Sequence, residues 1–73
     1  MAEVKYKIIK ELGVISESSG GWQKQLNLIS WNDAAPKYDI RDWSANREKA
    51  GKGITLSPSE LQSLIDLLGE IEL

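Results

Sequence analysis

The spacing of apolar and polar residues changes character along the chain, and the changes predict its elements. Over residues 4–17, Val4, Tyr6, Ile8, Leu12 and Val14 share one parity, broken at Lys10, with Ile9 and Ile15 out of step. The lysines and glutamate leave a helix over residues 4–12 as the lesser alternative, but the β-branched content favours a strand, with a kink or bulge near Gly13. Ser18-Ser-Gly-Gly21 reads as a turn, because glycine supplies positive φ at no steric cost. Residues 22–31 form a second strand. Leu26 and Leu28 make one face, and Gln23, Gln25, Asn27 and Trp31 make the other. The adjacent Leu28 and Ile29 cannot both enter the core of a regular strand, so either a bulge lies here or Ile29 belongs to a contact surface. With the leucines inside, the amide-rich face is expected to be open.

After the loop Asn32–Pro36, residues 37–43 read as a third strand. Tyr38 and Ile40 point one way; Lys37, Asp39, Arg41 and Trp43 point the other. A polar connection leads to a short fourth strand at about 52–56, with Ile54 and Leu56 on one parity. The period then switches to helical. Ser57 fits an N-cap, Pro58 the first helical position and Glu60 the closing residue of a capping box, which predicts a helix over about 58–71. Leu61, Leu64, Ile65, Leu68 and Ile71 form one stripe, widened by Leu67. That is more apolar surface than one small sheet face needs, so part of the stripe is expected to pack on a second copy. The elements read ββββα, an α+β class, as a single domain over residues 1–73.

Size supports that expectation. A chain of 73 residues buries only about 60% of its unfolded surface, and its core alone is marginal. There are 0 cysteines and 0 histidines, so disulfides are excluded and zinc is a poor fit. Self-association is the remaining staple, and a homodimer is expected. No apolar run approaches the roughly 20 residues of a membrane span, and no signal-peptide pattern opens the chain, so a cytoplasmic, nucleoid-associated location is expected. Net charge is −2, but it is unevenly placed. Residues 1–56 carry all 9 Lys/Arg against 7 acids, while residues 57–73 carry 4 acids and no base. A mildly basic body with an acidic end would aim an anionic partner at the body.

The candidate chemistry is binding rather than catalysis. Without His or Cys the commonest bases and nucleophiles are missing. Asp39 and Asp42 alternate across a strand and cannot act as a pair, and the glycines do not have P-loop spacing. Neither an enzyme, a cofactor, a metal nor a small-molecule substrate is expected. All 3 Trp lie in the strand region, and at least one belongs in a core. Trp31 and Trp43, on the open parity, suit stacking on bases. Lys24, Lys37, Arg41, Lys49 and Lys52 suit phosphates, and Gly51 and Gly53 would let backbone N–H groups approach them. Competing readings are a protein-interaction module using the exposed aromatics, and RNA rather than DNA, since no feature reads a 2′-hydroxyl.

The run Tyr38-Asp-Ile-Arg-Asp-Trp43, then Gly51-Lys-Gly-Ile-Thr-Leu-Ser-Pro-Ser-Glu60, then a terminal helix, resembles the single-stranded-DNA-binding core of the eukaryotic coactivator positive cofactor four. Gly21-Trp-Gln-Lys-Gln-Leu-Asn27 and Ser30-Trp-Asn-Asp-Ala-Ala-Pro-Lys37 are similar to the small bacterial YdbC-like branch of that family. The resemblance spans about residues 21–68. It implies a strongly curved antiparallel sheet followed by a helix, in a homodimer whose β-ridges grip single strands. By position it implies ligand contacts from Trp31, Arg41, Trp43 and Lys52-Gly53. The loop Asn32–Pro36 is less basic than the eukaryotic ridge turn, and an extra N-terminal strand is present, so a role at a eukaryotic promoter is not implied. The expected nucleic-acid-binding set is Lys24, Trp31, Asn32, Lys37, Arg41, Trp43, Lys49, Lys52 and Gly53.

Overall fold

The computed structural model describes residues 5–72. Four strands form one antiparallel sheet in the order β1-β2-β3-β4: β1 (Tyr6–Glu17), β2 (Gln23–Trp31), β3 (Lys37–Trp43) and β4 (Ala50–Leu56). One helix, α1 (Pro58–Leu68), follows. The ββββα order is as the spacing predicts. Val4, expected in the first strand, lies outside the described residues.

The connections follow from their residues. Between β1 and β2, Gly20 and Gly21 adopt φ of 84° and 83°. Between β2 and β3, Asn32 and Asp33 both have positive φ, and the Ala34 N–H donates to the Trp31 carbonyl at 2.9 Å, closing a tight turn. The capping box forms in full: the Glu60 N–H donates to Ser57 Oγ at 3.2 Å, and the Ser57 N–H donates to Glu60 Oε1 at 2.8 Å. The bond from the Ser57 backbone N–H, and after it the Ser57 hydroxyl, hold the Glu60 carboxyl below its ordinary pKa of 4.5. The helix stops at Leu68, three residues short of the expected end, where Gly69 caps it and donates to the Ile65 carbonyl.

β1 departs most from a simple strand. Its pairing with β2 shifts register three times, at Ile8/Lys10, Glu11/Gly13 and Val14/Ser16. The residues passed over are Ile9, Leu12 and Ile15, spaced three apart. One bulge falls next to Gly13, where the sequence suggests one; the other two account for Ile9 and Ile15 being out of step. Each bulge bends its strand and adds right-handed twist.

The consequence is a sheet that coils over one face. Tyr6 pairs with Trp31 at one end of β2, and Trp43 pairs with Gln23 at the other. Eight residues of straight strand span about 26 Å. Yet the Tyr6 and Trp43 rings meet with centroids 5.6 Å apart. The two ends of this concave face therefore close over its middle. Arg47, from the β3–β4 connection, also reaches Glu11 of β1 in an ion pair.

This corrects the expected orientation. The amide-rich face is the buried one: Gln25, Asn27 and Asp39 are 3%, 1% and 0% exposed. Ile29 and Trp43 are the buried apolar side chains beside them. Ile29 needs no bulge in β2, because it shares this face with Gln25 and Asn27 and pairs regularly with Lys37. Leu26, Leu28 and Ile40, expected inside, lie on the opposite face and are only partly covered.

Gly53 has a structural task in this coil. A Cβ there would overlap the Arg41 Cβ and the Ile40 carbonyl oxygen on β3, whereas one at Gly51 would meet its nearest atom, Asp42 Cβ, at an ordinary 3.5 Å. Gly53→Ala is therefore expected to destabilise the fold by about 1–3 kcal/mol, as overpacking does. Gly51→Ala is expected to stay within about 1 kcal/mol. Urea denaturation of both variants checks the contrast; equal midpoints would contradict it.

Candidate nucleic-acid interface

Buried polar side chains in the coil hold one another. Along β2, Gln25 Nε2 donates to Gln23 Oε1 at 2.8 Å and Asn27 Nδ2 donates to Gln25 Oε1 at 3.2 Å. Such a ladder keeps the amides satisfied away from water. Opposite it, Arg41 clamps Asp39 in a fork: Nε and Nη2 donate to the two carboxylate oxygens, each at 2.7 Å. Asp39 is fully buried, and the Arg41 side chain is 18% exposed. The fork uses two of the five guanidinium N–H groups.

Arg41 also lies over an aromatic. Its Cζ is 4.8 Å from the ring centroid of Trp31, a cation–π distance. The pair lines a cleft of about 360 Å³, together with Lys37, Thr55, Ala34 and Ala35. The tight turn at Asn32-Asp33 places Trp31 at one end of β2 and lets the chain return to Lys37. The β2–β3 register puts Arg41 on the same face, opposite Gln25. A partly exposed indole, a clamped guanidinium with spare donors and a lysine thus share one rim. This arrangement can stack a planar ring and meet an anionic group beside it.

The other expected residues are placed elsewhere. Trp43 is 1% exposed, so the reading of it as an outward stacking platform is corrected: it is a core residue. Gly53 is required by the close approach of β4 to β3. Asn32 ties the turn to the edge strand, its Oδ1 accepting from the Lys5 N–H at 3.1 Å and its N–H donating to the Lys5 carbonyl at 2.7 Å. Lys24 stands opposite Asp42 on the other face of the sheet, with 4.0 Å between their charged atoms. Lys49 lines a separate cleft of about 430 Å³ with Trp22 and Ala45, beyond the far end of β3. Lys52 is exposed on β4 beside the register shift opposite Asp42. Of the nine residues, Trp31, Lys37 and Arg41 are brought together in one cleft.

Sequence reasoning missed Tyr6, which packs on both Trp31 and Trp43. Its parity with Ile8 was legible; its closeness to Trp43 depends on the coil. Among the described residues no group of Asp or Glu could hold a metal, and no helix is long and apolar enough to cross a membrane.

A coiled ββββα sheet with an aromatic and basic cleft at the rim of its concave face defines the class of domain. The family model described as Transcriptional Coactivator p15 (PC4) matches residues 18–67, and the chain belongs to that family. An uncharacterized protein of Treponema pallidum (strain Nichols) is 44% identical over 68 residues, covering 93% of this chain and 80% of that protein. The resemblance carried by Tyr38–Trp43 and Gly51–Glu60 is therefore to the right family.

Proposed function

We propose that the chain binds single-stranded DNA with low sequence specificity, as a homodimer, in transcription or another DNA transaction. The carrying observation is the cleft in which Arg41 lies over Trp31 with Lys37 on the same rim. Aromatic stacking tolerates any base, and the cations meet phosphates irrespective of sequence, which is the chemistry of unspecific single-strand binding. Family membership supports the same reading.

The dimer rests on uncovered apolar surface. No residue of α1 is buried. Ile65, Leu67, Leu68 and Ile71 are each about half exposed, and Ile54 on the sheet is 55% exposed. Large apolar side chains left this exposed on both the helix and the sheet suit a protein interface. A second copy would cover it and supply the core that a small chain lacks.

Tryptophan fluorescence during titration with an oligo-dT of about 20 nucleotides tests the binding. Quenching is expected, with a salt slope of about −0.7 per phosphate neutralised. Trp31→Ala should weaken binding by about 1–3 kcal/mol while leaving the fold intact. Absence of quenching at low salt would sink the DNA reading and leave the apolar surface pointing to a protein partner. Sedimentation equilibrium showing only monomer at micromolar concentration would sink the dimer.

A further inference from the structure

We propose that the edge strand β1 extends this platform, with Tyr6 as a second base-stacking residue and Lys5 and Lys7 as phosphate contacts. The inference rests on the single-strand reading of the Trp31 cleft. It concerns residues N-terminal to the span matched by the family model, 18–67.

Tyr6 is the outer ring of a three-ring cluster. Its centroid is 5.6 Å from that of Trp31, at an interplanar angle of 46°, and 5.6 Å from that of Trp43. Trp43 is closed off, whereas Tyr6 is 45% exposed. The core thus fixes one side of the tyrosine ring and leaves the rest in water, which holds a flat surface rigid at little entropic cost on binding. Tyr6 pairs directly with Trp31 across β1 and β2, so both rings stand on one face.

Cations stand on both sides of the sheet edge that carries the two rings. On the Trp31 side is the cleft with Lys37 and Arg41. Alternation along β1 sets Lys5 and Lys7 on the opposite face from the Tyr6 ring, where they line a cleft of about 460 Å³ with Ser30 and Asp33, reached from the rings only round the open edge of β1. Two lysines there outweigh the single carboxylate of Asp33. A single strand crossing from Lys37 and Arg41 over Trp31 and Tyr6 would find a ring for each of two bases, and its backbone would meet Lys5 and Lys7 where it turns round the edge of β1. The rings are tilted and their 5.6 Å separation exceeds the 3.4 Å per nucleotide of a stacked strand. Two successive bases can occupy them only if the strand is unstacked, which favours a single strand over a duplex.

The test compares oligo-dT affinity and thermal stability for the full chain and its variants. Tyr6→Leu keeps apolar cover on Trp43 but removes the π-face, and is expected to lose about 5- to 150-fold in affinity, the range for one stacked base. Tyr6→Phe is expected to bind within about twofold of the parent, since the ring is kept. Lys5→Gln with Lys7→Gln should make the salt slope shallower by about 1.4, two phosphates at 0.7 each. Unchanged affinity in a folded Tyr6→Leu variant, with Trp31→Ala still weakened, would overturn the role of Tyr6 and leave the Trp31 site standing. Loss of binding in Tyr6→Phe would also overturn it, since that would make the hydroxyl the contact. If Tyr6→Leu fails to fold, the lysine pair decides: an unchanged slope overturns the β1 path. A parent chain that binds no oligonucleotide fails at the Trp31 reading instead, so the two failures are distinguishable.

Discussion

Trp43→Ala is expected to abolish the native fold. The side chain is 1% exposed and touches Tyr6 from a non-adjacent strand. Truncating a buried Trp costs about 3–5 kcal/mol. A core of this size supplies only about 3–5 kcal/mol in all, so the variant should be largely unfolded by far-UV circular dichroism at 25 °C. Trp43→Phe should recover most of that loss. It keeps a ring in place and removes the indole Nε1, which is buried without a hydrogen-bond partner and so contributes nothing by staying. A Trp43→Ala protein that melts like the parent and only loses DNA affinity would show that Trp43 faces the ligand after all. The contrast with Trp31→Ala, expected to fold and to bind weakly, separates the two tryptophans that their shared parity cannot.

The second large effect concerns Asp39 and Arg41. Arg41→Ala leaves a fully buried carboxylate without its fork of two 2.7 Å bonds, and stranding one partner of a buried pair costs about 3–5 kcal/mol. Asp39→Ala is expected to cost less, because Arg41 keeps Trp31 beneath it and is partly exposed, so its charge can turn to water. The double variant should then be markedly less unstable than the sum of the two, with a coupling well above the ~0.5 kcal/mol scatter of independent sites. Urea denaturation of the four proteins in a fixed background of trimethylamine N-oxide, which keeps the weakest of them folded at zero urea, gives that coupling. Additive losses would mean that the fork contributes nothing and that Arg41 is free to act only on a ligand. A strong coupling means that Arg41 is first a clamp on the coil and offers its remaining donors to a phosphate from a fixed position.

The elements themselves were legible because each is written in local spacing. The capping box at Ser57–Glu60 and the turn residues Asn32-Asp33 and Gly20-Gly21 act over three or four residues, and they do in the structure what their chemistry predicts. β1 was harder, since three bulges replace alternation by a spacing of three, and Ile9 and Ile15 then look like errors in the pattern. Three of the candidate binding residues were legible in the same way, with Trp31, Lys37 and Arg41 lying on one face of two adjacent strands. The family, too, was legible in the order of Asp39-Ile-Arg41 and Lys52-Gly-Ile-Thr-Leu56.

Alternation says that Gln25, Asn27, Asp39 and Trp43 share a side; it does not say which side is inside. Polarity suggested water. The coil decided otherwise by drawing Tyr6 and Trp43 together from opposite ends of β2, over amides and an ion pair that satisfy one another. Leu26, Leu28 and the stripe of α1 are left only partly covered for a reason of the same kind: burial depends on what lies across from a face, and for these residues little of this chain does. The sequence by itself determined strands, turns, cap and family. Only the tertiary structure decided which face is core, because that depends on curvature summed over three bulges and on contacts between strands that are not neighbours.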